Sequence, residues 1–170
     1  IKASTVALFN TSTDYEQFLG AALIPALLHI LAMTAGAWAV GRELRDRSIA
    51  EWLGIAPRWH EALAALAGKL ALPFASLSAV GIAAMLWITA GRGWHPVGSV
   101  GWTLFALVVF MALSIALGAF VSALTRSLRT ALSATGFITA PAFAFGGVGF
   151  PLVAMPFFAH AWASLLPYTH

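Results

Sequence analysis

The stretch from Phe18 to Gly41, FLGAALIPALLHILAMTAGAWAVG, decides the fold: 24 consecutive residues carry no formal charge. At 1.5 Å of rise per residue it makes a helix of about 36 Å, longer than the roughly 30 Å hydrocarbon core of a bilayer. Its apolar residues lie on every side rather than on one stripe, as in a helix that faces lipid. Further uncharged runs cover Leu70 to Gly91, Gly93 to Thr125 (apolar from Val97 onward) and Thr130 to His170. Composition agrees, with 61% hydrophobic residues and 9% charged, whereas a soluble domain carries about 25% charged residues. A water-soluble domain is excluded. The expected fold is an all-α polytopic membrane protein of about four transmembrane helices.

The charges between the runs set the topology. Arg42, Arg45, Arg47, Arg58 and Lys69 fall between the first and second runs, and Arg126 and Arg129 between the third and fourth. Only Lys2 and Arg92 lie elsewhere, so seven of the nine basic residues share one side, which the positive-inside rule makes cytoplasmic. The expected order is transmembrane helices at 18–41, 70–91, 99–124 and 130–147, running inward, outward, inward and outward. Cytoplasmic loops occupy 42–69 and 125–129, and an outer loop 92–98. Trp38, Trp94, Trp102 and Trp162 then fall near the interfaces, at headgroup depth.

The last run is too long for one crossing and is broken by Pro141, Gly146, Gly147, Gly149, Pro151 and Pro156. Each proline removes a backbone donor and disfavours helix before it. An irregular backbone at membrane depth must be covered by protein or line a cavity. Residues 148–170 are therefore expected to form an outer re-entrant or interfacial hairpin.

Within the inner loop, Ser48-Ile49-Ala50-Glu51 has the pattern of a capping box. Ile49, Trp52, Leu53 and Ala56 follow on one helical face, and Pro57 ends the segment. Such a helix either lies on the inner membrane surface or docks a cytoplasmic partner. Ser114, Gly118 and Ser122, four residues apart, let two helix backbones approach closely, within one subunit or across a dimer. His29 lies mid-span, where a neutral histidine bonded to a neighbouring helix explains it better than ligation. No second ligand stands at matching depth, no metal site is expected, and His60-Glu61 lacks the second histidine of a zinc protease helix.

No catalytic constellation is present. The chain has no cysteine, no nucleophile elbow and no acidic residue inside any span, which argues against a proton-driven secondary transporter. Gly68-Lys69-Leu70 is not a phosphate loop, so no cofactor is expected on this chain. The dispersed basic residues exclude nucleic acid as a partner.

Two stretches carry a family resemblance. Arg42 to Leu53, followed by Pro57 and by Ala65-Leu66-Ala67-Gly68-Lys69-Leu70, resembles the cytoplasmic loop after the second helix in permeases of type-2 ABC exporters. Phe150-Pro151, Met155-Pro156 and Pro167-Tyr168-Thr169 resemble that family's outer ending. Ser48-Ile49 departs from the family's Gly-Thr. The resemblance implies spans two to five of a six-span permease, with residues 1–17 ending an outer domain. It implies an inner-membrane location, two ABC ATPase subunits that hold the ATP, a second permease copy (homo- or heterodimer) and surrounding membrane lipid. It further implies that Glu43, Arg45, Ser48, Glu51, Trp52 and Leu53 form the ATPase-coupling region. Gly146, Gly147, Phe150, Pro151, Met155, Pro156 and Pro167 would build the outer hairpin. The implied activity is ATP-driven export, with amphiphilic cargo such as drugs or lipids favoured by the uncharged spans. The alternatives to an exporter permease are a secondary transporter and a non-transport membrane scaffold subunit.

Overall fold

The computed structural model describes residues 15–54, 58–94, 98–146 and 152–165. Every regular element among them is helical. In chain order they are α1 (Tyr15–Asp46), α2 (Ile49–Leu53), α3 (Trp59–Leu86), α4 (Val100–Thr125), α5 (Leu128–Phe145), a 3₁₀ turn (Leu152–Ala154) and α6 (Phe157–Leu165). α3 runs on into a π-helical turn, Trp87–Gly91, which ends with the Arg92 amide donating to the Trp87 carbonyl at 3.1 Å. Pro25, Pro73 and Pro141 sit inside α1, α3 and α5; spanning helices tolerate them because neighbours resatisfy the freed backbone groups.

Among the described residues three helical segments are long and apolar enough to cross a membrane: Ala22–Asp46, Trp59–Gly91 and Val100–Thr125. The second begins well before the uncharged run at Leu70, and its 33 residues extend about 50 Å, so it tilts or projects beyond the hydrocarbon. α5 occupies the place of the expected fourth span. Its 18 residues reach about 27 Å, and Arg129 stands in its first turn.

α1 is the centre of the bundle and packs against α3, α4 and α5. Its buried face is rich in small residues, with Ala22, Ala26, Ala32, Ala37 and Ala39 all below a tenth exposed beside the larger Leu28, His29 and Met33. In lipid the hydrophobic effect does not favour one helix pair over another, so close backbone contact selects the partner. α4 is that partner. His29, Met33 and Ala37 of α1 meet Ser114, Gly118 and Ser122 of α4 in the same order, so the two helices run parallel. α5 buries Ala131, Thr135, Thr139 and Ala142. Its two buried threonines donate to the carbonyls four residues back, at 2.8 and 2.9 Å, so neither hydroxyl is left unsatisfied.

The two ends differ in charge as the topology requires. Arg92 pairs with Glu16 at the start of α1 and lies 5.2 Å from the centre of the Trp94 ring. Arg45, Arg126 and Arg129 gather at the other end. Ala56, Pro57, Gly147, Gly149, Phe150, Pro151, Pro167, Tyr168, Thr169 and residues 1–14 of the expected outer-domain remnant at 1–17 lie outside the described residues, while residues 15–17 open α1.

Candidate functional site at the arginine-rich end

The connection between α1 and α3 is short because both helices extend into the charged stretch 42–69 from its two sides. Arg47, with φ 58, ends α1 in the left-handed region that L residues seldom adopt. α2 then turns for five residues and stops at Gly54, whose φ of 79 suits a residue without Cβ. On the far side the Glu61 carboxylate accepts from the Arg58 amide at 2.9 Å and starts α3.

The expected capping box at Ser48 does not form, since Ser48 makes no side-chain cap to α2. Its hydroxyl donates instead to the carboxylate of Glu43. A charged acceptor holds a hydroxyl more strongly than a neutral amide does, and Glu43 lies one turn back on α1. Glu43 is only 7% exposed. Its carboxylate also accepts from Lys69 Nζ of α3 and has Arg42 Nε at 3.5 Å. The Lys69 ammonium in turn lies 4.5 Å from the centre of the Trp52 ring, a cation–π distance. Glu43, Ser48, Lys69 and Trp52 therefore tie α1, α2 and α3 together at one point.

The six residues expected to form the coupling region divide between two elements. Glu43 and Arg45 belong to the last turns of α1, while Glu51, Trp52 and Leu53 form α2, with Ser48 at the junction. Arg45 makes a two-point contact with Asp46 at 2.8 and 3.2 Å and lies 5.5 Å from the centre of the Trp38 ring. Glu51 is exposed. Ile49, Trp52 and Leu53 face an apolar groove of about 810 Å³, closed by Val40 and Leu44 of α1, the first turns of α3 and Ala116, Phe120 and Ala123 of α4.

The small-residue stripe faces α1 within the chain. The Ser122 hydroxyl donates to the Ala37 carbonyl at 2.6 Å, and a Cβ on Gly118 would stand 1.9 Å from the Met33 carbonyl oxygen. His29 Nδ1 lies 2.8 Å from Ser114 Oγ. The Ser114 hydroxyl donates to the Phe110 carbonyl at 2.7 Å, so its oxygen accepts from His29 Nδ1–H. The imidazole stacks on Phe110 with centroids 5.1 Å apart. At the far end of α5, Gly146 follows the helix, and Met155 and Pro156 join the 3₁₀ turn to α6; α6 packs on α5. Among the described residues no group of three or more histidine, aspartate or glutamate side chains is placed to hold a metal ion.

A protein-family model described as ABC-2 family transporter protein matches residues 1–170. The chain belongs to the ABC-2 transporter family. It is an integral membrane protein of transport, in keeping with its apolar helices. No curated protein and no solved structure matches it. Sequence reasoning had not marked Lys69 as a site residue of this permease. The clue was the Gly68-Lys69 pair at the mouth of the second uncharged run, a lone cation where a span begins. Gly36 was also missed, because a glycine inside an apolar run looks the same whether it faces lipid or a partner helix.

Proposed function

We propose that this permease is the membrane-spanning subunit of an ATP-driven exporter, and that α2 is the part a separate ABC ATPase subunit grips. Membership in an ABC transporter family supports the ATPase partner. The observation that carries the role of α2 is the junction of Glu43, Ser48, Lys69 and Trp52. A short helix bound to the ends of two long ones transmits a push to both, because packed helices shift between discrete arrangements rather than deform continuously. Glu51, exposed on α2, offers the ATPase a charge. The arginine-rich end faces the cytoplasm of the inner membrane, α5 completes a fourth crossing, and residues after Gly146 cap the outer exit. A second permease copy supplies the other half of the path. Uncharged runs at the middle of the spans (18–41, 70–91 and 99–124) suit amphiphilic cargo, drug-like or lipid, rather than ions.

The test is co-purification of the full-length permease, in mild detergent, with the ATPase encoded beside it. Wild type captures the ATPase, and the Glu51→Arg, Trp52→Ala double variant does not. Removing a central tryptophan from an interface costs about 2 kcal/mol or more, roughly thirtyfold in affinity. Glu51→Arg alone leaves the junction intact and separates a lost contact from a lost fold. Failure of the folded wild type to bind any ATPase would return α2 to a membrane-surface helix.

A further inference from the structure

Two hollows meet at Arg126. One is the apolar groove beneath α2, which Arg126 helps to line. The other is an open cleft of about 780 Å³ bordered by Arg45, Arg126, Arg129, Ser127 and Thr130. Arg45 is neutralised by Asp46. Arg126 and Arg129 are exposed and have no ion-pair partner among the described residues. Arg126 also takes a φ of 52 as the cap of α4, where glycine is the residue of least backbone cost. The local backbone therefore gains nothing from an arginine there.

Two unneutralised guanidinium groups thus share the cleft, and one of them, Arg126, also lines the apolar groove. A soluble anion satisfies the charges and leaves the groove empty, and a hydrocarbon does the reverse. An amphiphile with an anionic head satisfies both. We propose that this junction is a binding site for an anionic glycerophospholipid, with its phosphate between Arg126 and Arg129 and an acyl chain in the groove beneath Ile49, Trp52 and Leu53. The groove volume lies within the about 300–1,000 Å³ typical of small-ligand sites. A lipid seated there touches α2 and α4 together, so its presence bears on the position of α2. The site stands on this chain's own residues and does not depend on the transport cycle proposed above.

The experiment uses the full-length permease in mild detergent, washed free of lipid and titrated with phosphatidylglycerol, phosphatidylcholine, a short-chain phosphatidylglycerol or inorganic phosphate. Binding is read by native mass spectrometry and by the shift in unfolding temperature. Each arginine near an anionic lipid is worth about fivefold in affinity, so phosphatidylglycerol is expected to bind roughly twenty-five times more tightly than phosphatidylcholine. Arg126→Gln with Arg129→Gln abolishes that preference, whereas Arg126→Lys with Arg129→Lys keeps it. Ala116→Trp, which fills the groove, weakens long-chain phosphatidylglycerol and spares the short-chain form. Equal binding of the two long-chain lipids by wild type overturns the proposal, even if the glutamine variant fails to fold. So does inorganic phosphate binding as tightly as phosphatidylglycerol, or a dimer that excludes lipid from the groove.

Discussion

Gly36 and Gly118 each lie against the backbone of the other's helix with no room for one more carbon. A Cβ on Gly36 would lie 2.0 Å from the Ile115 carbonyl oxygen, and the obstacle at Gly118 is equally a carbonyl. Backbone atoms cannot rotate aside as a side chain does, so an added methyl parts α1 from α4. Gly118→Ala is expected to cost about 2 kcal/mol or more, in the range of overpacked cores, and to lower the unfolding temperature in detergent by several degrees. Gly136, on α5, has nothing within 4 Å of an added Cβ. Gly136→Ala should raise the unfolding temperature slightly, since alanine is favoured over glycine by about 0.5–1 kcal/mol within a helix. Thermal unfolding of the two variants side by side checks both directions; equal behaviour would mean that α1 and α4 do not touch at Gly118. The spacing of Ser114, Gly118 and Ser122 marked a close approach in the sequence. That Gly36 is on the other side of it, and that Gly136 is open, depends on rotation about each helix axis, which a run apolar all round leaves unspecified.

At the scale of elements, α2 is too short to be stable alone, since isolated helices below about 12–15 residues are marginal in water. Its place depends on Glu43 and Lys69, the least exposed charged pair among the described ion pairs, with side chains 9% and 18% exposed. Breaking a buried pair from one side leaves an uncompensated charge, and the penalty exceeds the pair's own net worth. Glu43→Gln and Lys69→Met should each destabilise the protein. The double variant should lose less than the sum, with a coupling of about 1–3 kcal/mol. A double-mutant cycle by denaturant unfolding in detergent measures that coupling, and a value near zero means that the pair does not hold α2. The loop's amphipathic face was legible, because Ile49, Trp52 and Leu53 recur at helical spacing. The partner of Glu43 was not, because Lys69 is 26 residues away and four arginines in the same loop are equally good mates by charge.

At the scale of the molecule, the chain sorts its basic residues to one end and pairs Arg92 with Glu16 at the other. The sequence contains no cysteine, so single cysteines report topology without background. Ala50→Cys and Thr130→Cys should react with a membrane-impermeant maleimide only in inside-out vesicles, and Ser99→Cys only in right-side-out ones. His160→Cys should follow Ser99→Cys if α5 completes a crossing. Labelling of His160→Cys together with Thr130→Cys would leave α6 on the arginine-rich side and the bundle with three spans.

What this sequence determined by itself is how much of the chain must leave water, in which order and at which end the basic residues gather. Those properties follow from the length of uncharged runs against bilayer thickness and from the sidedness of arginine and lysine, and neither requires knowing which helix touches which. The tertiary structure alone decided that α1 and α4 pair through Gly36 and Gly118, that Ser48 turns to Glu43 instead of capping α2, and that Trp52 sits over Lys69. Those choices depend on contacts of a few ångströms between residues far apart in the chain. In lipid, where apolar surface has no preference among apolar partners, such contacts select the arrangement.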